Sequence, residues 1–464
     1  MKRKWMLAYG CFFFALCLIP VAGMVLPEGE VSSENRTLAT WPSLQDENGW
    51  NWNYLSEAGE YFQDHFGFRQ ELVTANALLQ GNVFGVSAAD GVICGVDGWL
   101  YYKDSLDDYL GTNLMSDRQL YNGARTLALM QEYVEKRGAK FLFAVAPNKN
   151  TLYGEWMPYY HKMVVTEENN RRRMQTWLEK EGVAYLDLTE ALETSGQVLY
   201  HQRDSHWNNQ GAAVASDALM TALGKEHESY EDVPYEVRKD FTGDLDQMLC
   251  PAAPTQEEEI YYQKQDVFAY VGQVESNFDP QITTVNPSGE GSLVMYRDSF
   301  GNALVPFFAN TYENAYFSRG VPYQMTDLTE RGADTVIVER AERFLPEVAE
   351  NPPVMEGPLL LIEEEGQAQP ASVTDVKATQ QGLYVRLEGI IEEEALKTDS
   401  RICVRINGTD AYEAFPVTVQ QGETRRDGGF VLYLSAQNWQ AGREKVEILV
   451  QRDGKWISIY HTML

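Results

Sequence analysis

Cysteine is scarce in this sequence, and so is histidine: 464 residues hold five of the first and six of the second. Cys11 and Cys17 fall inside an N-terminal apolar run and lack the small-residue context of a lipoprotein cleavage site. Cys94, Cys250 and Cys403 are far apart and odd in number, which excludes a disulfide framework and the close Cys spacing of a zinc site. Basic residues are also few, 38 against 68 acidic ones, for a formal charge of −30. Such a field repels nucleic acid and anionic surfaces, so a nucleic-acid partner is excluded. No internal repeat or low-complexity tract is present, and no cofactor-binding motif is found.

The chain begins "MKRKWMLAYGCFFFALCLIPVAGMVLPEGE". Lys2, Arg3 and Lys4 precede an uncharged stretch over residues 5–26, long enough for one helix across a bilayer, which takes about 20 residues. The basic flank would stay in the cytoplasm, placing the rest outside it. A signal peptide cleaved near Ala22 and Gly23 is the competing reading, and both imply export. Residues 1–27 are therefore expected to be a membrane anchor or signal sequence.

Beyond an irregular segment, "YFQDHFGFRQELVTANALL" fits a helix interrupted near Gly67, and "ADGVICGVDGWLYYKD" reads as a hairpin. From residue 117 helices and strands alternate. "DRQLYNGARTLALMQEYVEKRG" is amphipathic at helical spacing and ends on a glycine suited to a C-terminal cap. "AKFLFAVAP" follows as a continuous apolar strand of the kind buried in a parallel sheet. "VAYLDL", "GSLVMYRDS" and "ADTVIVE" are further strands, and "EENNRRRMQTWLEKEG" and "NQGAAVASDALMTALG" are helices between them. The pattern predicts an α/β sheet with helices on both faces. Composition shifts near "EEEGQAQPAS", after which short β runs separated by turns such as Asn407-Gly408 predict a β-sandwich over residues 370–464. Tyr384, Tyr412, Tyr433, Trp439 and Trp456 are expected to pack inside it rather than to stack on sugars.

The chemistry concentrates in "RDSHWNNQG". Asp204 and His206, two apart, can form an orienter–base pair in which the carboxylate holds one imidazole nitrogen and leaves the other to take a proton. Ser205 would point away if the stretch were extended, because neighbours alternate faces. A hydroxyl of the right kind lies 93 residues on, in "VMYRDSFGNAL", where Ser299 follows a buried strand at the rim where ligands of open α/β sheets collect. The amides of Phe300 and Gly301 and the side chain of Asn302 are oxyanion-hole candidates. Ordinary N-capping by Asp298 and Ser299 is the structural alternative. His65 and Arg69 read as a packing motif on one helix, and a metal site built from His201, Asp204 and His206 lacks further ligands.

The ordered set "ENRTLATWP", "YFQDHFGFR", "DGWLYY", "APNKNTLYGEWMP", "DSHWNNQGA", "YRDSFGNALVPFFA" and "VERAERFL" closely resembles the DHHW family. These are exported bacterial proteins related to alginate O-acetyltransferases. The resemblance implies a three-layer SGNH-hydrolase-like, flavodoxin-like parallel sheet over residues 28–365, with Ser299 as nucleophile, His206 as base and Asp204 as orienter. It places Asn148, Lys149 and Tyr153 beside the site with Trp207. It leaves Lys149 equally open to substrate contact or to a solvated loop. Arg297 is expected to pair with an acid rather than to touch an anionic sugar. Ser205 stands where the family's motif has a second histidine. The implied activity is extracytoplasmic O-acetyl transfer to a polysaccharide from a single-pass protein of the cell membrane, supplied by a membrane-bound O-acyltransferase. A carbohydrate acetylesterase or a non-catalytic glycan-binding scaffold remain alternatives.

Overall fold

The computed structural model describes residues 2–23, 38–46, 49–422 and 424–464. Residues 28–37 and 47–48 of the irregular segment expected after the N-terminal run lie outside them. A helix forms over Lys2–Gly23, yet no helix among the described residues is long and apolar enough to cross a membrane. The transmembrane part of the expected anchor is therefore not found among the described residues.

The central sheet has seven strands: β1 (Lys140–Ala146), β2 (Tyr185–Asp187), β3 (Ala269–Tyr270), β4 (Gln281–Val285), β5 (Ser292–Tyr296), β6 (Asn314–Ser318) and β7 (Thr335–Ala341). Their order is β2-β1-β7-β5-β6-β4-β3. The five from β2 to β6 are parallel, whereas β4 runs antiparallel to β6 and β3 antiparallel to β4. The sheet is thus mixed rather than wholly parallel. Chain length decides this: residues 286–291 between β4 and β5 are far fewer than the roughly twelve that a parallel crossover needs.

Alternation along β1 divides the core. Phe141, Phe143 and Val145 pack with Leu120, Leu127 and Val134 of the Asp117–Glu135 helix and with Met174 and Leu178 of the Asn170–Glu181 helix. Leu142, Ala144 and Ala146 pack on the opposite face with Ala212, Ala215 and Leu219 of the Asn209–Ala222 helix. Helices therefore cover both faces. Ser116 caps the first of these helices through the Gln119 amide, and Asn208 caps the third through that of Gly211. A side chain at Gly211 would collide with the Leu199 carbonyl and come within 2.8 Å of the Trp207 Cβ, so the glycine after "WNNQ" is sterically required.

The C-terminal region is also corrected. Its strands β8 (Val373–Gln381), β9 (Tyr384–Ile391), β10 (Ile402–Ile406), β11 (Asp410–Gln421), β12 (Thr424–Ser435), β13 (Lys445–Arg452) and β14 (Lys455–Met463) form one antiparallel sheet, ordered β8-β9-β12-β11-β10-β13-β14. The first half of β11 pairs with β10 and its second half with β12, with a register shift between Val417 and Val419. One strand serving two neighbours curls the sheet into a half-barrel, where a sandwich needs two separate sheets. Leu387, Val404, Phe430, Ile448 and Ile459 fill its interior, and Trp456 is buried against Cys403 and Leu449. Tyr433, Phe415 and Val417 instead join the core around the Asp117–Glu135 helix.

Candidate active site

Ser299 follows β5, and the loop of residues 201–208 leads into the Asn209–Ala222 helix, so both sit at the rim formed by the ends of the parallel strands. Folding closes the 93-residue separation: the Ser299 hydroxyl lies 2.8 Å from His206 Nε2. On the other side of the ring, His206 Nδ1 lies 2.8 Å from Asp204 Oδ1, which also accepts the His206 backbone amide at 2.8 Å. Asp204 Oδ1 can only accept, so Nδ1 carries the hydrogen and Nε2 faces Ser299 as the acceptor. Asp204 is buried, whereas the His206 side chain keeps 22% of its surface open and Ser299 is half-buried. The reacting atoms are thus reachable while their support is not.

The charges are tuned in opposite directions. Burial alone would push the Asp204 carboxyl up, but His206 and the hydrogen bonds it receives hold it far below the usual carboxylate range. Burial disfavours the His206 imidazolium, yet Asp204 and Asp244 outweigh it and raise its pKa above the ordinary 6.5. The pair is therefore poised to stabilise a protonated ring.

Lys149 neither contacts open space nor sits in solvent. It is buried, and its Nζ donates to the carbonyls of Leu100, Gln202 and Asp204 at 2.7, 2.8 and 2.8 Å. Burial drives its pKa down to about 7 against the opposing pull of Asp204, Glu257 and Asp244. It pins the histidine loop to the hairpin of Val92–Cys94 and Leu100–Tyr102. Asn148 is equally enclosed, its amide donating to Glu342 and its side chain to Asp108. The Tyr153 hydroxyl accepts the Leu199 amide at 2.7 Å. Trp207 is buried, donates from its indole to the Phe300 carbonyl at 3.1 Å, and meets the Phe300 ring edge-on. Lys149, Tyr153 and Trp207 hold the histidine loop and its approach, Asn148 ties its own segment to Glu342 and Asp108, and all four are buried rather than lining the opening.

The expectations for Arg297, for Phe300 and Gly301, and for Ser205 also change. Arg297 makes no ion pair among the described residues: its guanidinium donates to Asn302 Oδ1 and to the carbonyls of Asn277 and Asp279 at 3.1 and 2.9 Å. Burial lowers its pKa to about 10, with Arg319 adding to the shift. The Phe300 amide is already committed to Asp298 Oδ1 at 2.9 Å, and Asp298 Oδ2 accepts from Ala341 at the end of β7. Asp298 is therefore the brace that fixes Ser299, and the Phe300 amide is not free for an oxyanion. Gly301 has a packing purpose: a Cβ there would meet the Arg297 side chain at 2.5 Å and Glu339 at 3.0 Å. Ser205 does not turn away. Residues 202–206 bend, so strand alternation fails, and its Oγ lies 3.2 Å from His206 Nδ1.

Two neighbours were not legible in advance. Asp244, from the connection between the strands Tyr235–Thr242 and Gln256–Tyr262, approaches His206 Nδ1 at 3.7 Å. Arg343, just after β7, stands over the Phe300 ring at 5.3 Å and lowers the pKa of His206. It has no ion pair among the described residues. Asp204, His206 and Asp244 have ligand atoms within 4.8 Å of one another. All four carboxylate oxygens, however, already accept hydrogen bonds from this loop and the Asp244 turn, an arrangement suited to orienting an imidazole rather than to gripping a cation. His201, the third residue of the metal alternative, pairs with Glu259 at 2.9 Å and stacks on Phe241. His65 and Arg69 fall on two helices, Tyr54–His65 and Arg69–Phe84, broken at residues 66–68.

Residues 92–284 match the family described as the SGNH hydrolase-like domain of the acetyltransferase AlgX, a span that holds Asp204, His206 and Asp244 and ends before Ser299. The "Probable alginate O-acetylase AlgJ" of Pseudomonas syringae pv. tomato is 27% identical over 181 residues, covering 38% of this chain and 44% of that protein. The chain thus spans less than half the length of this curated relative. Among solved structures, a DHHW family protein from Eubacterium siraeum is 18% identical, covers 55% of this chain and 91% of its own, and superposes with a TM-score of 0.41. The O-acetyltransferase domain of Pseudomonas putida AlgJ is 16% identical, with coverages of 55% and 92% and a TM-score of 0.37. No residue role is carried over from either. The chain is thus similar to alginate O-acetyltransferases, and its residues 92–284 match an SGNH hydrolase-like domain.

Proposed function

We propose that this protein is an exported O-acetyltransferase that moves acetyl groups onto hydroxyls of a polysaccharide through an acetyl-serine intermediate. The observation that carries the reading is the hydrogen-bonded series Ser299–His206–Asp204, with 2.8 Å at both links. Ser299 Oγ attacks the carbonyl carbon of an acetyl donor while His206 Nε2 takes its proton. The imidazolium returns that proton to the leaving group as the donor's acyl bond breaks. A sugar hydroxyl then gives its proton to Nε2 and attacks the acetyl-serine, and Ser299 recovers a proton from His206. Asp204 stays ionised throughout and stabilises the ring when it is charged.

The acceptor class is supported by the alginate O-acetylase relative, and export by the basic-then-apolar N-terminus. Acetyl groups arise in the cytoplasm, so an exported enzyme of this kind needs a membrane-bound O-acyltransferase as donor. Water in place of the sugar would make the same centre an esterase. Incubation with an activated acetyl ester tests the chemistry: wild type should form a +acetyl adduct that peptide mapping places on Ser299. The same adduct in Ser299→Ala, or equal turnover in His206→Ala, would refute it. Glycan acceptors that raise turnover above hydrolysis separate transfer from esterase action.

A further inference from the structure

The imidazole of His206 has two carboxylates on its Nδ1 side, and only one is needed to fix the tautomer. Asp244 Oδ2 stands 3.7 Å from Nδ1 and accepts the Ser205 hydroxyl at 2.6 Å, while Asp244 Oδ1 accepts the Ser205 amide at 2.8 Å. The Asp244 amide in turn donates to Asp204 Oδ2 at 2.7 Å, taking the oxygen that His206 leaves open. Gly243 permits this approach, since a side chain there would collide with the Arg203 carbonyl. The two acids are therefore latched to each other through backbone and to the ring through Ser205.

We propose that Asp244 is a positioning residue of this centre, a second carboxylate that acts through Ser205 to orient His206 and to stabilise its protonated form. The inference rests on the acyl-transfer reading for its purpose, but not for its detection. No covalent step is added. When Nε2 gains the Ser299 proton, the ring's positive charge is shared by Asp204 at 2.8 Å and Asp244 at 3.7 Å. The groups facing the ring are Asp204 from its own loop, Asp244 from the hairpin connection and Arg343 from the end of β7. Behind the loop, Lys149 holds the Asp204 carbonyl. Two acids oppose one guanidinium, and the acids win. The arrangement also gives Ser205 a task, as the hydroxyl that joins Asp244 to the ring.

The test is an NMR titration of the His206 ring in the full chain carrying Ser299→Ala, compared with the same chain also carrying Asp244→Asn or Ser205→Ala. Removing a negative charge destabilises the imidazolium, so Asp244→Asn should lower the His206 pKa, and Ser205→Ala should lower it less. With Ser299 intact, the kinetic counterpart is an acid limb of the pH–rate profile displaced to lower pH in Asp244→Asn, with a loss of kcat smaller than the ~10⁴ expected from the primary orienter. A purely structural Asp244 would lower the folded fraction and leave both curves in place. Titration curves that coincide for all variants overturn the proposal; should Asp244→Asn fail to fold, an unmoved curve in Ser205→Ala does so. An inactive wild type with a displaced titration would instead refute only the acyl-transfer reading.

Discussion

The two seven-stranded sheets bury polar groups for different ends. In the central sheet, Asp204, Asp298 and Lys149 are enclosed at the strand ends and all brace two loops that meet at Ser299. In the C-terminal sheet the enclosed carboxylate is Glu413, which takes the Arg125 guanidinium from the Asp117–Glu135 helix at 2.8 Å and Arg401 from its own region at 2.8 Å. Its aromatic residues Tyr433 and Trp456 are buried as packing. The first sheet spends its buried charge on a reactive opening; the second spends it on attachment. Burial of charge alone therefore does not identify a site, and accessibility of the atom at the end of the chain of contacts does.

Breaking the comparison at its strongest point means removing the nucleophile. Ser299→Ala should cut ester turnover by on the order of 10⁴ or more with the melting temperature unchanged, as kinetics and circular dichroism would show. Asp204→Asn should cost roughly 10³- to 10⁴-fold in kcat through loss of tautomer control, measured on the same ester. The C-terminal sheet predicts the reverse profile. Glu413→Ala leaves Arg401 without its carboxylate and Arg125 with only Glu181 and Glu132, at 3.3 and 3.4 Å, and should destabilise the chain by about 3 kcal/mol in denaturant titration, with kcat of the folded fraction retained. The pH profile sharpens the first half: His206 must be neutral to accept a proton, and its pKa is raised, so the rate should climb with pH to a half-maximum above 6.5. The smallest effect is expected at the exposed Lys397–Asp453 pair, whose removal should change stability by less than about 1 kcal/mol.

The reach of the sequence differed along the same lines. β1, β5 and β7 were legible because each is a continuous apolar run, and the Asp117–Glu135 and Asn209–Ala222 helices because their apolar spacing and caps agree. The strands Tyr235–Thr242 and Gln256–Tyr262 were not, since "YEVRKDFT" is mostly solvent-exposed and its alternation of Tyr235, Val237 and Phe241 is broken by Lys239. With that hairpin unseen, Asp244 had no visible relation to His206. Residue types pointed to Asp204, His206 and Ser299, which the fold does bring together. They misjudged Lys149 and Arg297, because a cation satisfied by backbone carbonyls leaves no complementary acid in the sequence to reveal it. The sandwich expectation failed for a similar reason: the pattern of β11 shows a strand, but not that its two halves serve different neighbours.

One contact has a thermal consequence. Arg118 and Asn122, on a helix packed against the central sheet, reach across to the carbonyls of Ser400 and Asp427 at 2.7 and 3.0 Å, and Tyr433 and Phe415 close over the same helix. Neither sheet can lose its order without stripping that helix of part of its apolar cover. Heating should accordingly produce one calorimetric peak for both regions instead of two, with calorimetric and van't Hoff enthalpies in agreement.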